Sequence, residues 1–462
     1  MTKIKILEVV NNARNSLEKE KNISSTLKKN FSELFDVISF LTARLGMNSA
    51  NSSTPPSQDP NRKRPIKKAK GKKRKPGGQK GHKGSHLKQV NDPTVVEEIL
   101  IDRKTIPQGK YVNGGFESRQ VFDMTVAITV TEYRAEILVN SAGEAFVAEF
   151  PKGVTEKAQY GNSIKANSVY MSQYQMTPLA RVQDHFGYQL GLPLSKGSIS
   201  NWNISAYNSL ELFEEWVRKE LIGSNCIHAD ETGINVNGKR FWLHCICDEK
   251  MTLFHADQKR GKEAMDRMGI LPYYKGTLVH DHWKAYFKCL CTHALCNSHH
   301  LRELEAAIEF DSQKWAKSMQ DLLIEIKKAV EQSKGSLSKK QIAKFHKRYR
   351  KLLGAADKEC PRDKSSVKQS KSRNLLERLR DFEAETLRFL DDSTVPFTNN
   401  RGENDLRMTK VQQKISGCFR SMEGAKIFCR IRSYISTCRK NGIGPTEALK
   451  LLFDGKSPAF MK

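Results

Sequence analysis

No stretch of this chain approaches the roughly 20 consecutive apolar residues of a membrane-spanning helix. Hydrophobic residues make up 38% of the sequence, enough for packed cores but low for a membrane protein. The opening Met1-Thr-Lys-Ile-Lys5 carries neither an apolar signal core nor a small-residue cleavage site. A cytoplasmic, nucleoid-associated bacterial protein is therefore expected. None of the ten cysteines forms a Cys-x-x-Cys pair, and all fall between Cys226 and Cys438. That argues against a zinc ribbon or a redox motif and leaves reduced, mostly buried thiols as the expectation. Acidic residues are missing altogether from Arg62 to Lys88.

What is abundant is positive charge. Seventy-eight Lys and Arg against 51 Asp and Glu give a formal charge of +27, a surplus that calls for a polyanionic partner. It is densest in the acid-free segment, which includes Lys72, Lys73, Arg74, Lys75, Lys80 and Lys83. Glycines there let the backbone approach a phosphate, and the cations displace condensed counterions. The segment reads as an arm lying along double-stranded DNA, without a base-reading signature.

The 462 residues suffice for roughly three domains. Residues 1–47 read as helical. Leu27, Phe31, Leu34, Ile38, Leu41 and Leu45 form a heptad seam that fits equally a helix docked on its own protein and a coiled-coil dimer. Residues 48–92 read as a disordered basic linker. In 93–155, alternation in Val95–Ile101, Val121–Val130 and Ala135–Val139 predicts a small β module. In 156–222, helix, Gly191-Leu-Pro193 and a Ser195-capped helix give a helix-turn-helix outline, or an ordinary helical pair.

From Asn225 the pattern becomes three strands, helix, strand, helix, strand, the order of a ribonuclease-H-like α/β core with a mixed five-stranded sheet. The core is expected at 223–310 and 396–440, a charged helical insertion at 311–395, and a tail helix at 441–462. The apolar run ending at Asp230 and the strand Thr277–Asp281 each finish in an acid. Glu403 opens a helix that Asn399 and Asn400 can cap, with Arg407, Lys410 and Lys414 on or near its face.

Phosphodiester cleavage and strand joining need an activated oxygen nucleophile and neutralised charge on the leaving oxygen, which two Mg²⁺ ions supply. Hard oxygen ligands suit that ion. Asp230 is the candidate to bridge two ions, with Asp281 and Glu403 holding one each. Glu231 faces the other way along a strand and suits a supporting role. Asp248 and Asp257 suit the surface.

His228-Ala-Asp-Glu-Thr-Gly233, His280-Asp-His-Trp-Lys-Ala-Tyr286, Cys296-Asn-Ser-His-His-Leu-Arg-Glu-Leu304 and Thr398-Asn-Asn-Arg-Gly-Glu403 resemble the successive blocks of the insertion-sequence-66 transposase family, as do Asn48–Ser57 and Gly77–Gly84. The resemblance covers nearly the whole chain. It implies a DDE transposase using Asp230, Asp281 and Glu403, two Mg²⁺ or Mn²⁺ ions, and terminal inverted repeats and target DNA as substrates. It also implies a homo-oligomer on paired ends, with helper proteins of the same element as further partners. Cys296 and His299 resemble a motif of several DDE families. Two residues at that spacing cannot complete a zinc site, so support of the active site is expected. The family carries a cysteine zinc finger after the Gly-Gly-Gln block. Residues 94–150 contain no cysteine, so no zinc is expected. Two other readings compete: a catalytically inactive DNA-binding relic, and a ribonuclease-H-like nuclease that cuts without joining.

Overall fold

Turn and cap residues punctuate the computed structural model, which describes residues 3–20, 22–45, 47–52, 59, 61, 87–124, 126–333, 337–363 and 369–461. Lys72, Lys73, Arg74, Lys75, Lys80 and Lys83 lie outside the described residues. The chain forms two units, residues 1–63 with 151–462, and residues 64–150.

In the larger unit, α1 (Lys3–Lys19) and α2 (Ser25–Leu45) replace the single helical segment expected up to residue 47. The break falls where Ser24 accepts a hydrogen bond from Leu27 N at 3.3 Å and restarts the helix. Arg14 joins the two helices through Asp36 at 2.6 Å. The apolar seam of α2 is not buried against its own protein, with Leu27 50% and Leu45 76% exposed. Asn48 and Asn51, read as linker, are buried instead, and Asn51 Nδ2 donates to Glu309 Oε2 at 2.5 Å.

Among the described residues of the smaller unit, strands form only as a hairpin, β1 (Ile137–Val139) with β2 (Ala145–Val147). The strands expected at 95–101 and 121–130 are absent there. Alternation alone does not make a strand, because the backbone needs a partner and the apolar face needs cover. Val96 and Val121 stay 72% and 93% exposed. Val90 N donates to Gln120 Oε1 and Val90 O accepts from Gln120 Nε2, at 2.8 Å each.

The larger unit resumes with α3 (Asn162–Val169), which runs into a π turn, and α4 (Leu179–Asp184), which does likewise. After Gly191, at φ +62°, Ser195 caps α5 (Lys196–Ser209) by accepting from Ser198 N at 2.9 Å. The two helices pack around Val182, Phe186, Leu194 and Ile199. α6 (Glu211–Gly223) leads into the sheet.

The sheet comprises β3 (Cys226–Val236), β4 (Lys239–Cys247) and β5 (Thr252–Asp257), then, after α7 (Lys262–Met268), β6 (Thr277–His280) and β7 (Thr292–Leu295). Its order is β5-β4-β3-β6-β7. The pairs β3–β4 and β4–β5 are antiparallel, and β3–β6 and β6–β7 parallel. Asn237 and Gly238, both at positive φ, make the two-residue turn that suits a twisted hairpin. Thr277 N donates to Asn225 O at 2.8 Å, and a Cβ at the adjacent Gly276 would lie 2.6 Å from that oxygen. Only glycine lets β6 come so near β3. Leu221, Leu253 and Leu278 are fully buried on one side of the sheet, each contributing about 2 kcal/mol.

α8 (Asn297–Asp311) leaves β7 and leads into α9 (Lys314–Gln332), α10 (Lys339–Glu359), α11 (Lys371–Asp381) and α12 (Glu383–Asp391). These build their own apolar core around Trp315, Leu323, Tyr349, Leu376 and Leu387. The chain returns through α13 (Asn400–Ser416), α14 (Met422–Lys440) and α15 (Pro445–Phe453). α14 closes the edge of β5. Its Thr437 and Ser433 hydroxyls accept from Thr252 N and Phe254 N at 3.1 and 2.8 Å.

Candidate active site

β3 sends alternate side chains to opposite faces. Ile227 and Ala229 enter the core shared with α6 and α14, while Ile234 and Val236 pack with Leu406 of α13. Asp230 lies on the α13 face. The strand does not end there as the sequence suggests. It continues to Val236, with Asp230 opposite Cys245 and Gly233 opposite Trp242 of β4. What ends is the parallel pairing with β6, whose last partners are His228 and Val279. Asp281 directly follows His280, the final residue of β6. Both acids therefore reach one rim of the sheet.

Glu403 sits in the first turn of α13. Asn399, expected as a cap, makes no side-chain capping bond. Its Nδ2 donates to Ala229 O at 2.8 Å, and its Oδ1 pairs with His228 Nδ1 at 2.8 Å. Burial holds His228 down near 4 against that hydrogen bond, so the neutral ring carries its proton on Nδ1. Asn399 N donates to Cys296 Sγ at 3.1 Å. This clamp draws the helix so close that a Cβ on Gly402 would meet Asp230 Cβ at 3.4 Å. Asparagine at a helix start reads as a cap in sequence, and nothing local reveals a partner on a strand far upstream.

Asp230 is held well above the ordinary aspartate range by burial, then by the charge of Glu231, with Asp281 and Glu403 adding to it. The hydrogen bond from Glu231 N to its Oδ1, at 2.9 Å, offsets part of this. Asp281 is pushed up to about 6 by burial and Glu231, against Trp283 N–H and Arg260. Among the described residues none of the three acids forms an ion pair. One oxygen of Glu403, Oε1, is buried without a hydrogen-bond partner.

Glu231 is different. Its side chain is 2% exposed and receives Arg260 Nε and Nη2 at 2.9 and 2.6 Å, and Tyr286 Oη at 2.5 Å. Arg260 is held between the rings of Trp242 and Trp283, at 4.8 and 4.3 Å. Glu231 thus fills the supporting role expected of it. Arg260 was not legible in the sequence, since it sits in no pattern of its own, and Tyr286, although it closes the His280–Tyr286 block, was given no role there. Asp257 is buried rather than superficial and is gripped by Arg267 with two bonds of 2.7 Å. Asp405, beside Glu403 in sequence, points away and is neutralised by Lys440 Nζ and Thr252 Oγ1, both at 2.8 Å.

Along α13, Arg407, Lys410 and Lys414 are exposed. Lys410 comes nearest the rim, its Nζ 3.4 Å from Gly233 O. With Lys239, Arg240 and Gln413 it lines a groove of about 370 Å³.

The ligand atoms of Asp230, Asp281 and Glu403 do not all fall within 4.8 Å of one another. Among the described residues two other trios do: Cys245 with Cys247 and Asp405, and Cys296 with His299 and Glu403. No helix among the described residues is long and apolar enough to cross a membrane.

A search of the curated proteins finds no match. A family of unknown function matches residues 5–88. The model of the Transposase IS66 family matches residues 157–427, a span that runs from the helical region through the sheet, all three acids and the start of α14. Since that span is more than half of its 462 residues, the chain belongs to the IS66 transposase family.

Proposed function

We propose that this chain cuts and joins DNA at the ends of an insertion sequence, with Asp230, Asp281 and Glu403 as ligands of two divalent cations, Mg²⁺ or Mn²⁺. The observation that carries this reading is the state of Asp230. It is a buried carboxyl beside the charges of Glu231, Asp281 and Glu403, and among the described residues it forms no ion pair of its own. The buried, unpartnered Oε1 of Glu403 fits the same demand. Oxygen donors of this kind suit hard cations. The sheet order, three antiparallel strands followed by two parallel ones, supports a ribonuclease-H-like core.

When bound, the ions supply activation of the attacking oxygen and stabilisation of charge on the leaving one. The chain's own residues set the stage. Asp230 is the middle member, facing both Asp281 and Glu403. Arg260 and Tyr286 hold Glu231 in place and so keep its charge from drifting toward the acids. Asn399 fixes the start of α13 and with it Glu403. Lys239, Arg240 and Lys410 line the adjoining groove and suit backbone phosphates, with Arg407 and Lys414 extending the basic face. The acid-free segment 62–88 supplies sequence-independent attraction to DNA. Action on two paired ends calls for more than one protomer, with helper proteins as further partners. Asp405, two residues from Glu403, is paired with Lys440 and so adds no unpaired charge beside the acids.

The test is to incubate the protein with element ends and Mg²⁺ and map nicks. Asp230→Asn should reduce cleavage by on the order of a thousandfold or more, as expected for losing a group that handles transition-state charge. DNA binding should be nearly unchanged. A variant that still cut would sink the assignment. Deleting residues 62–88 should flatten the salt dependence of binding, and an unaltered slope would remove that segment from the account.

A further inference from the structure

We propose that Cys296, His299 and Glu403 form a binding site for one zinc-type transition-metal ion, and that this ion competes for Glu403 with the hard cations of the acid set. Cys296 is the N-cap residue of α8 and His299 lies in its first turn, while Glu403 lies in the first turn of α13. The two helix starts are stitched together by Asn399 N to Cys296 Sγ at 3.1 Å and Asn297 N to Phe397 O at 3.1 Å. One ligand atom from each of the three residues falls within 4.8 Å of the others.

Two of those residues present buried polar atoms with nothing to bind. His299 Nδ1 and Glu403 Oε1 are both inaccessible to solvent and without a hydrogen-bond partner. Buried polar atoms are rarely left so, and an ion between them resolves both at once. The thiol already accepts a backbone N–H, the contact that orients a metal-bound thiolate. Burial raises the Cys296 thiol against the Asn399 N–H, so taking up the ion displaces the thiol proton.

The donor set selects the ion. Thiolate and imidazole suit zinc and its neighbours, not Mg²⁺. Three protein ligands leave a fourth tetrahedral position open. The comparable trio of Cys245, Cys247 and Asp405 carries no such argument, since Lys440 and Thr252 already occupy the Asp405 carboxylate. The sequence pair Cys296-x-x-His299 looked two ligands short. The chain brings one of them from α13.

The ion-binding part of this proposal stands without the proposed chemistry; the competition part rests on it. The full-length protein, stripped with chelator, is titrated with Co²⁺ and then Zn²⁺. We expect one equivalent of Co²⁺ with a thiolate-to-cobalt charge-transfer band, displaced by Zn²⁺. Cys296→Ser should abolish the band. His299→Gln and Glu403→Gln should weaken binding by at least about tenfold, the lower end of what even an outer partner costs. Asp281→Asn and Cys418→Ser should leave the band intact. Thermal melts of each variant separate misfolding from ligand loss, and His299→Gln, which alters no thiol, serves if Cys296→Ser does not fold. Absence of the band in the folded wild type, or its persistence in folded Cys296→Ser, overturns the site. In the Mg²⁺-supported nicking reaction, one equivalent of Zn²⁺ should inhibit the wild type but not Cys296→Ser. Equal inhibition of both overturns the competition while leaving the site.

Discussion

Within the helical insertion, Glu325 receives both terminal nitrogens of Arg348 at 2.6 and 2.7 Å, and Glu383 is shared by Arg350 and His346. Arg373, 9% exposed, reaches Asp357, Glu377 and the carbonyl of Cys360. At the rim of the sheet the arrangement is reversed: Asp230 has Asp281 and Glu403 for neighbours, and its burial compounds their repulsion. One region spends its charges on holding itself together. The other holds like charges close, a cost to stability that the proposed cations would offset. Removing a charge should therefore have opposite signs in the two places.

The largest effect should come from Arg373→Met. It removes the bonds to Asp357, Glu377 and the carbonyl of Cys360, but Asp357 keeps Arg380 and is 41% exposed, so the loss should be about 3 kcal/mol at most. Chemical denaturation should show the loss, and cleavage per folded molecule should be unaffected. A neutral result would erase the contrast from the insertion's side.

At the rim, Asp281→Asn should stabilise the cation-free protein at pH 7. An ordinary aspartate titrates at 3.8, whereas Asp281 is raised to about 6 when folded. Between those values the folded chain binds the extra proton, so this residue's contribution to stability falls as pH rises through the window. The gain from the variant is about 3 kcal/mol at most. It should vanish near pH 4, and added Mg²⁺ should shrink it in the wild-type comparison. Melts across pH 4 to 7 decide; a variant that destabilises at pH 7 would show that the rim is not repulsive.

Asn399→Ala sharpens the comparison from a third direction, since it removes buried bonds that position the acid rather than a charge. Losing its bonds to Ala229 and His228 should cost about 2 kcal/mol. It should also cut cleavage more than the stability loss explains, because Glu403 loses its anchor. Equal activity per folded molecule would make Asn399 purely structural. Smallest of all, Arg348→Ala should change stability by within about 0.5 kcal/mol, because that pair is exposed to solvent.

Much of the core was legible in order. Apolar runs bounded by Asn237-Gly238 and by Asp248–Lys250 give the hairpins, and acids at Asp230 and Asp281 stand out against them. Local spacing could not reveal that β3 outruns its parallel partner, because strand length depends on a neighbour elsewhere. It could not see Asn399 reaching β3, Arg260 lodged between Trp242 and Trp283, or Glu403 joining Cys296 and His299. Each is a contact across more than a hundred residues or between loops without periodicity. The opposite error arose at Val95–Ile101 and Val121–Val130. There alternation was present, but among the described residues no partner strand was.

The contact at Gly276 bears on how β3 and β6 are spaced. Backbone meets backbone there, with the Tyr274 ring packed against the same point. The spacing of β3 and β6 at this end is consequently set by that peptide contact and by the Tyr274 ring beside it. Substitutions on either face of the sheet can change how well the core is filled without altering that gauge, whereas a single methyl at position 276 would wedge β6 from β3 at the end of the strands away from both carboxylates.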